Sequence, residues 1–125
     1  MNSSPESCEA AQSVLAADAL RRTGHLRLRA RGESMLPALW PGDEVELVGC
    51  RLEDVALGEI VLAHRQGRLF LHRLVAREEP ARFVLRGDSM PAPDPSYPSA
   101  AVAGRLVGVL RGGRIVALRS RAWAS

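Results

Sequence analysis

The chain has 125 residues and a formal charge of +3, a size that suits one domain and excludes two independently folded catalytic units. Hydrophobic residues make up 46% and aromatics 4%, which excludes a disordered chain and rests the core mainly on Leu, Val and Ala. The 17 basic residues are all arginine and are scattered. No dedicated nucleic-acid binder is therefore expected, and the aromatics that would stack bases are nearly lacking.

Residues 1–6 are polar. From Glu9 to Arg22 the spacing of Val14, Leu15 and Leu20 among alanines predicts a short amphipathic helix that stops at Gly24. Such a helix covers one end of a core, and it is also a candidate surface for a partner protein. The first twenty residues lack the basic start and apolar run of a secretory signal, and no apolar stretch reaches eighteen residues. The expectation is a cytoplasmic protein with no integral membrane segment. Cys8 and Cys50 do not make a disulfide framework and are expected to be reduced.

After Gly24 the period becomes two. HLRLRARG alternates Leu26, Leu28 and Ala30 with Arg27, Arg29 and Arg31, the pattern of a half-buried strand. A turn at WPGD leads into a second strand through Val45 and Leu47, and Pro37 argues against a long helix between the two. GEIVLAHRQGRLFLHRLVA reads as a hairpin turning at Gln66-Gly67, with Arg65 opposite Arg68 and Val61 opposite His72. Val61, Ala63, Phe70, His72 and Leu74 then share one face, and His64 lies on the other with Leu69 and Leu71. ARFVLRG is a further strand, SMPAPDPSYPSA a proline-rich loop, and AGRLVGVLRGGRIVAL a closing hairpin around Gly112-Gly113. The expected organisation is a tail and helix over 1–23, one strongly curved β domain over 24–119 and a tail over 120–125.

With no lysine in the chain, a general base has to be something other than an amine. Ser34, His72 and a downstream aspartate are the residue types that make nucleophile, base and orienting acid. By residue type alone, however, Ser34 reads as a turn residue in a proline-containing loop and His72 as a core or rim histidine. His25, His64 and His72 lack ligand spacing, so no metal site and no cofactor are expected.

RGESMLPALWPGDEV resembles the nucleophile box of type I signal peptidases and the related self-cleaving repressor peptidases. The matching positions are Gly32, Ser34, Met35 and Pro37, then Gly42 and Asp43. LHRLV resembles the His-Arg-hydrophobic box of the archaeal, endoplasmic-reticulum and sporulation-type branch, at His72 and Arg73. RGDSMPAPDP resembles that branch's Gly-Asp pair, at Gly87 and Asp88, followed by its aspartate at Asp94; Ser89 stands where the family has Asn. AGRLVGVL offers Gly104 or Gly108 for the family's late glycine, so the likeness runs from about Leu26 to Val109.

The resemblance implies a mostly β fold, a small curved β-barrel-like peptidase domain with a short N-terminal helix. It implies a serine endopeptidase with Ser34 as nucleophile, His72 as base and Asp94 as orienting carboxylate, Asp88 being the alternative for that last role. The Ser34 N–H is the implied oxyanion donor, Met35 packs beneath the site and Pro37 stiffens the loop. Gly32, Gly42, Asp43, Gly87 and Asp88 are implied turn residues. The substrate would be a peptide or protein bound in extended form. Signal peptidases carry a membrane anchor or apolar surface and the repressors a DNA-binding domain, neither of which is visible here, so a stand-alone peptidase maturing a small peptide or partner is expected. The competing expectation is a non-catalytic peptide- or partner-binding module that keeps the fold.

Overall fold

The structure is a computed structural model and describes residues 15–118. Helix α1, residues 15–23, turns Ala16, Ala17 and Leu20 inward, while Arg21 and Arg22 pair with Asp18 on the outside. It ends where Gly24, at φ +80°, donates its N–H to Leu20 O over 2.9 Å, the left-handed stop expected of a C-terminal glycine. The start expected at Glu9 lies outside the described residues, as do Cys8 and the C-terminal tail. No helix among the described residues is long and apolar enough to cross a membrane.

Eight strands follow: β1 (His25–Arg29), β2 (Glu44–Gly49), β3 (Ile60–Arg65), β4 (Arg68–Glu78), β5 (Arg82–Arg86), β6 (Tyr97–Pro98), β7 (Val102–Arg111) and β8 (Arg114–Leu118). All pair antiparallel, in the order β1-β2-β7-β3-β4-β5-β6, with β8 beside the end of β7. In β1 and β2 the expected alternation holds. Val45 and Leu47 face the core, and on the outer face Arg27 lies opposite Glu46 and Arg29 opposite Glu44, each ion-paired. The β3–β4 turn falls at Gln66-Gly67 with both φ angles positive, which puts Val61 opposite His72 as expected. The last hairpin likewise turns at Gly112-Gly113.

Two features differ from expectation. SMPAPDPSYPSA is not all loop: Tyr97 and Pro98 pair with Phe83 and Arg82, and a 3-10 turn at Ser99–Ala101 leads into β7. More importantly, the sheet does not close, so the expected barrel-like form is corrected to an open, bent sheet among the described residues. Register shifts in the β2–β7, β3–β7, β4–β5 and β7–β8 ladders supply the bending. Closure fails because, among the described residues, no ladder joins β1 to a further strand. Leu69–His72 of β4 likewise join no ladder but that with β3 among the described residues, the β5 ladder beginning at Arg73.

The bend creates two apolar clusters. One holds Leu20, Met35, Leu39, Val45, Leu47, Ile60, Leu62 and Val109, and the other holds Val55, Val61, Ala63, Leu74, Phe83, Leu85, Tyr97 and Ala101. β3 contributes alternate residues to both, which is why Ile60–Ala63 is buried throughout. Helix α1 reaches the sheet over Gly49 and Gly104, paired across β2 and β7. A Cβ on Gly104 would stand 2.8 Å from Val48 O and 3.4 Å from Leu20 Cδ1. Gly104→Ala is therefore expected to cost about 1–3 kcal/mol through overpacking. An unfolding midpoint equal to the parent's in a denaturant titration would contradict this reading of the helix–sheet contact.

Candidate active site

Ser34 lies in the connection between β1 and β2, His72 in the middle of β4, and Asp94 in the loop before β6. The fold brings all three together. Ser34 Oγ is 2.9 Å from His72 Nε2, and His72 Nδ1 is 2.7 Å from Asp94 Oδ2. Two donors meet at Asp94 Oδ2, the imidazole Nδ1–H and the Tyr97 hydroxyl at 2.8 Å. With its proton committed to Asp94 at Nδ1, neutral His72 presents a lone pair at Nε2 to the Ser34 hydroxyl. His72 is 7% exposed and Asp94 half-buried, so bulk water competes little for these contacts. Asp88, the alternative carboxylate, is not at His72. It takes a bidentate pair from Arg73, with Nε at 2.8 Å and Nη2 at 2.6 Å.

The segment carrying Ser34 is held from both ends. On one side, Asp43 is buried, accepts the Trp40 N–H at 2.9 Å and receives Arg111 bidentately at 2.8 and 2.9 Å. The Arg111 guanidinium also lies 5.4 Å from the centre of the Trp40 ring. Gly42 makes this turn at φ +92°, and Gly32 makes the one before Ser34 at φ +75°. On the other side, the Ser89 N–H donates to Ser34 O at 2.9 Å, Ser89 Oγ donates to Glu33 O at 2.6 Å, and the Asp88 N–H meets Met35 Sδ at 3.3 Å. Met35 is buried in the first cluster, directly under the site. The peptide between Leu36 and Pro37 is cis.

Gly87 has a more specific need than a turn. A Cβ there would stand 2.6 Å from Ser34 O and 3.0 Å from Ser34 Cβ, so the two backbones can touch only because residue 87 has no side chain. The Ser34 N–H engages no acceptor among the described residues. It is therefore available to an oxygen carrying developing negative charge.

A groove of about 820 Å³ passes in front of Ser34 and His72. Its walls include Leu26, Leu28 and Ala30 of the β1 segment, Leu69 to Leu71 of β4, and Leu15, Ala16 and Ala19 of α1. The edges of β1 and of Leu69–His72 in β4, which carry no second ladder among the described residues, thus border one cleft. A separate apolar cavity of about 480 Å³, between Ala38, Leu57, Leu106 and Ala117, includes neither Ser34 nor His72. His64 faces the first cluster beside Leu69 and Leu71, away from His72. Burial, and then the nearby Arg21 charge, push its imidazole below the usual value.

Sequence reasoning missed three participants: Tyr97, the Arg73–Asp88 clamp and the Arg111–Asp43 clamp. Tyr97 carried a faint signal, as the one tyrosine in the chain, set close after Asp94. Arg73 and Asp88 stood in the boxes that carry the resemblance but not as partners, and the Arg111–Asp43 pair had no signal, its members being 68 positions apart. No protein-family model matches the chain, and no curated protein matches it. Function has to be read from the residues themselves.

Two pH responses follow from these contacts. The Arg111 hydrogen bonds hold the Asp43 carboxyl below the ordinary range against the opposing effect of burial. The stabilisation it contributes is therefore present above about pH 4 and lost as pH falls through the folded value. Asp43→Asn should remove that part of the acid-unfolding curve, and an unchanged acid dependence of stability would refute it. Burial, reinforced by the Asp94 hydrogen bond, pushes the Tyr97 phenol well above its usual value. The native state then keeps a proton that the unfolded chain releases near pH 10, so this contribution is lost as pH rises further. With a single tyrosine, the pH-dependent rise in near-ultraviolet absorbance that marks phenolate formation reports this group. Asp94→Asn should lower its titration midpoint without restoring the ordinary value, because burial is the larger cause.

Proposed function

We propose that this chain is a serine endopeptidase of the signal peptidase and self-cleaving repressor type, using histidine rather than lysine as its base. The observation that carries the reading is the unbroken hydrogen-bond line from Ser34 Oγ through His72 to Asp94 Oδ2. A serine hydroxyl is a poor nucleophile until a base takes its proton, and here the imidazole stands in hydrogen-bond contact with it.

In the proposed reaction Ser34 Oγ attacks the carbon of a peptide carbonyl while its proton passes to His72 Nε2. The carbonyl oxygen, now negative, turns to the Ser34 N–H. Collapse breaks the C–N bond, and the leaving amine takes the proton from His72. Water then attacks the acyl-serine ester, gives its proton to His72, and the acid product leaves as that proton returns to Ser34 Oγ. Asp94 keeps the Nδ1–H tautomer and stabilises the imidazolium formed in each half of the cycle. The substrate fits as an extended segment in the groove. There the edges of β1 and of Leu69–His72 in β4, which carry no second ladder among the described residues, offer backbone hydrogen bonds, and the apolar walls take alternate side chains.

Those same edges favour the second reading, a module that binds an extended peptide without cleaving it. Incubation with a proteome-derived peptide library, followed by mass-spectrometric identification of new termini, separates the two. The peptidase reading expects cleavage that falls at least about 10³-fold in Ser34→Ala, with far-UV circular dichroism unchanged. Peptides retained but never cut would support the binding module. Equal cleavage by Ser34→Ala would remove Ser34 from the chemistry.

A further inference from the structure

Asp94 sits between Pro93 and Pro95, and its backbone is tied to the sheet by the bond from its N–H to Leu85 O at 2.8 Å. That bond places the Cα but leaves the carboxylate free to turn about its own side-chain torsions. Two contacts restrain it, both on Oδ2: His72 Nδ1 at 2.7 Å and the Tyr97 hydroxyl at 2.8 Å. They are not equivalent. His72 is the group the carboxylate has to orient, so it cannot also be the fixed reference. Tyr97 is anchored elsewhere. It is 1% exposed, pairs with Phe83 across β5 and β6, and stacks on the Phe83 ring with centroids 5.2 Å apart and planes 12° from parallel. The Arg65 guanidinium of β3 covers it from another side, 5.3 Å from the Tyr97 ring centre and 4.7 Å from that of Phe70.

We propose that Tyr97 is a positioning residue for the Ser34–His72–Asp94 site, its hydroxyl fixing Asp94 Oδ2 against His72 Nδ1 and sharing that oxygen's negative charge. The proposal rests on the reading of Ser34 as nucleophile and His72 as base. An oxygen with donors in two directions has a defined place, whereas one donor leaves an arc. The phenol also draws charge from Oδ2, so the pull of Asp94 on an imidazolium is moderated. The other charges near His72 do not duplicate this function. Arg65 lies over the aromatic rings, Arg68 stands 5.7 Å from the Phe70 ring centre, and Arg73, on the opposite face of β4, is engaged with Asp88.

The test needs no natural substrate. A fluorophosphonate forms a P–O bond with an activated serine as the P–F bond breaks, fluoride leaving and the hydroxyl proton passing to the base. Labelling rates of the full chain, followed by intact mass and peptide mapping from pH 5 to 9, should show modification at Ser34 and none in Ser34→Ala. Tyr97→Phe should label about tenfold more slowly on the plateau, with the acid limb of its pH–rate profile displaced from the parent's because Oδ2 then acts on the imidazolium with undivided charge. Phe83→Leu, which loosens the stack but keeps the hydroxyl, should lower the thermal midpoint and leave the acid limb in place. Tyr97→Phe labelling with the parent's rate and acid limb, while Ser34→Ala stays unlabelled, overturns the role of Tyr97 alone. A slowed Tyr97→Phe whose acid limb matches the parent's reduces Tyr97 to a packing residue and also overturns it. Undiminished labelling of Ser34→Ala overturns the serine reading, and the role of Tyr97 with it.

Discussion

The backbones of Ser34 and Gly87 touch, and most of the site depends on that contact. It joins the connection after β1, which sends Met35 and Leu39 into the first cluster, to the loop after β5, whose flanking strands send Leu85 and Tyr97 into the second, and the Ser89 N–H closes it with a bond to Ser34 O. Once the segments are joined, Met35 drops into the first cluster beneath the serine, and Asp88 comes within reach of Arg73. Strand alternation then gives two consecutive residues of β4 different tasks. His72 reaches Ser34 from one face of the strand, and Arg73 secures the Asp88 turn from the other. The His-Arg pair thus places the imidazole at the hydroxyl and, through Asp88 and the adjoining Ser89 N–H bond to Ser34 O, ties β4 to the segment that carries the serine.

The open sheet is the second constraint. A closed barrel would have paired β1 with another strand and used up the edge that now borders the groove. Unpaired strand edges are ordinarily a hazard because they recruit other chains. On β1 the outward arginines, paired to Glu44 and Glu46, make the exposed face a poor match for an apolar strand, while Leu26 and Leu28 line the groove. Under the proposed function, the same edge discriminates between adventitious strands and a peptide that enters the cleft.

The two long hairpins could be read from the sequence because their information is local: alternation in the strands and glycine at turns that need positive φ. Closure could not, because whether β1 finds another partner depends on the bend accumulated over four register shifts, each a matter of one residue. Ser34, His72 and Asp94 came from resemblance to a known pattern, since spacing alone does not bring positions 34, 72 and 94 together. The resemblance named Asp94 with Asp88 as its alternative, and the structure sets Asp94 against His72 and Asp88 against Arg73. Gly87 looked like a turn glycine, yet its requirement is room for Ser34, a constraint invisible until both segments are placed.

The central position of β7 has a consequence for how the protein comes into being. β2, which follows the Ser34 segment, lies between β1 and β7, and Asp43 at its threshold is held by Arg111 at the far end of β7. During synthesis the serine, the histidine and the aspartate are all made before the strand that braces the serine's support. Pairings of this sequence separation are intrinsically slow to form. Under the proposed function, the nascent chain carries Ser34, His72 and Asp94 before it carries the β7 pairing and the Arg111 contact that hold the Ser34 segment in place.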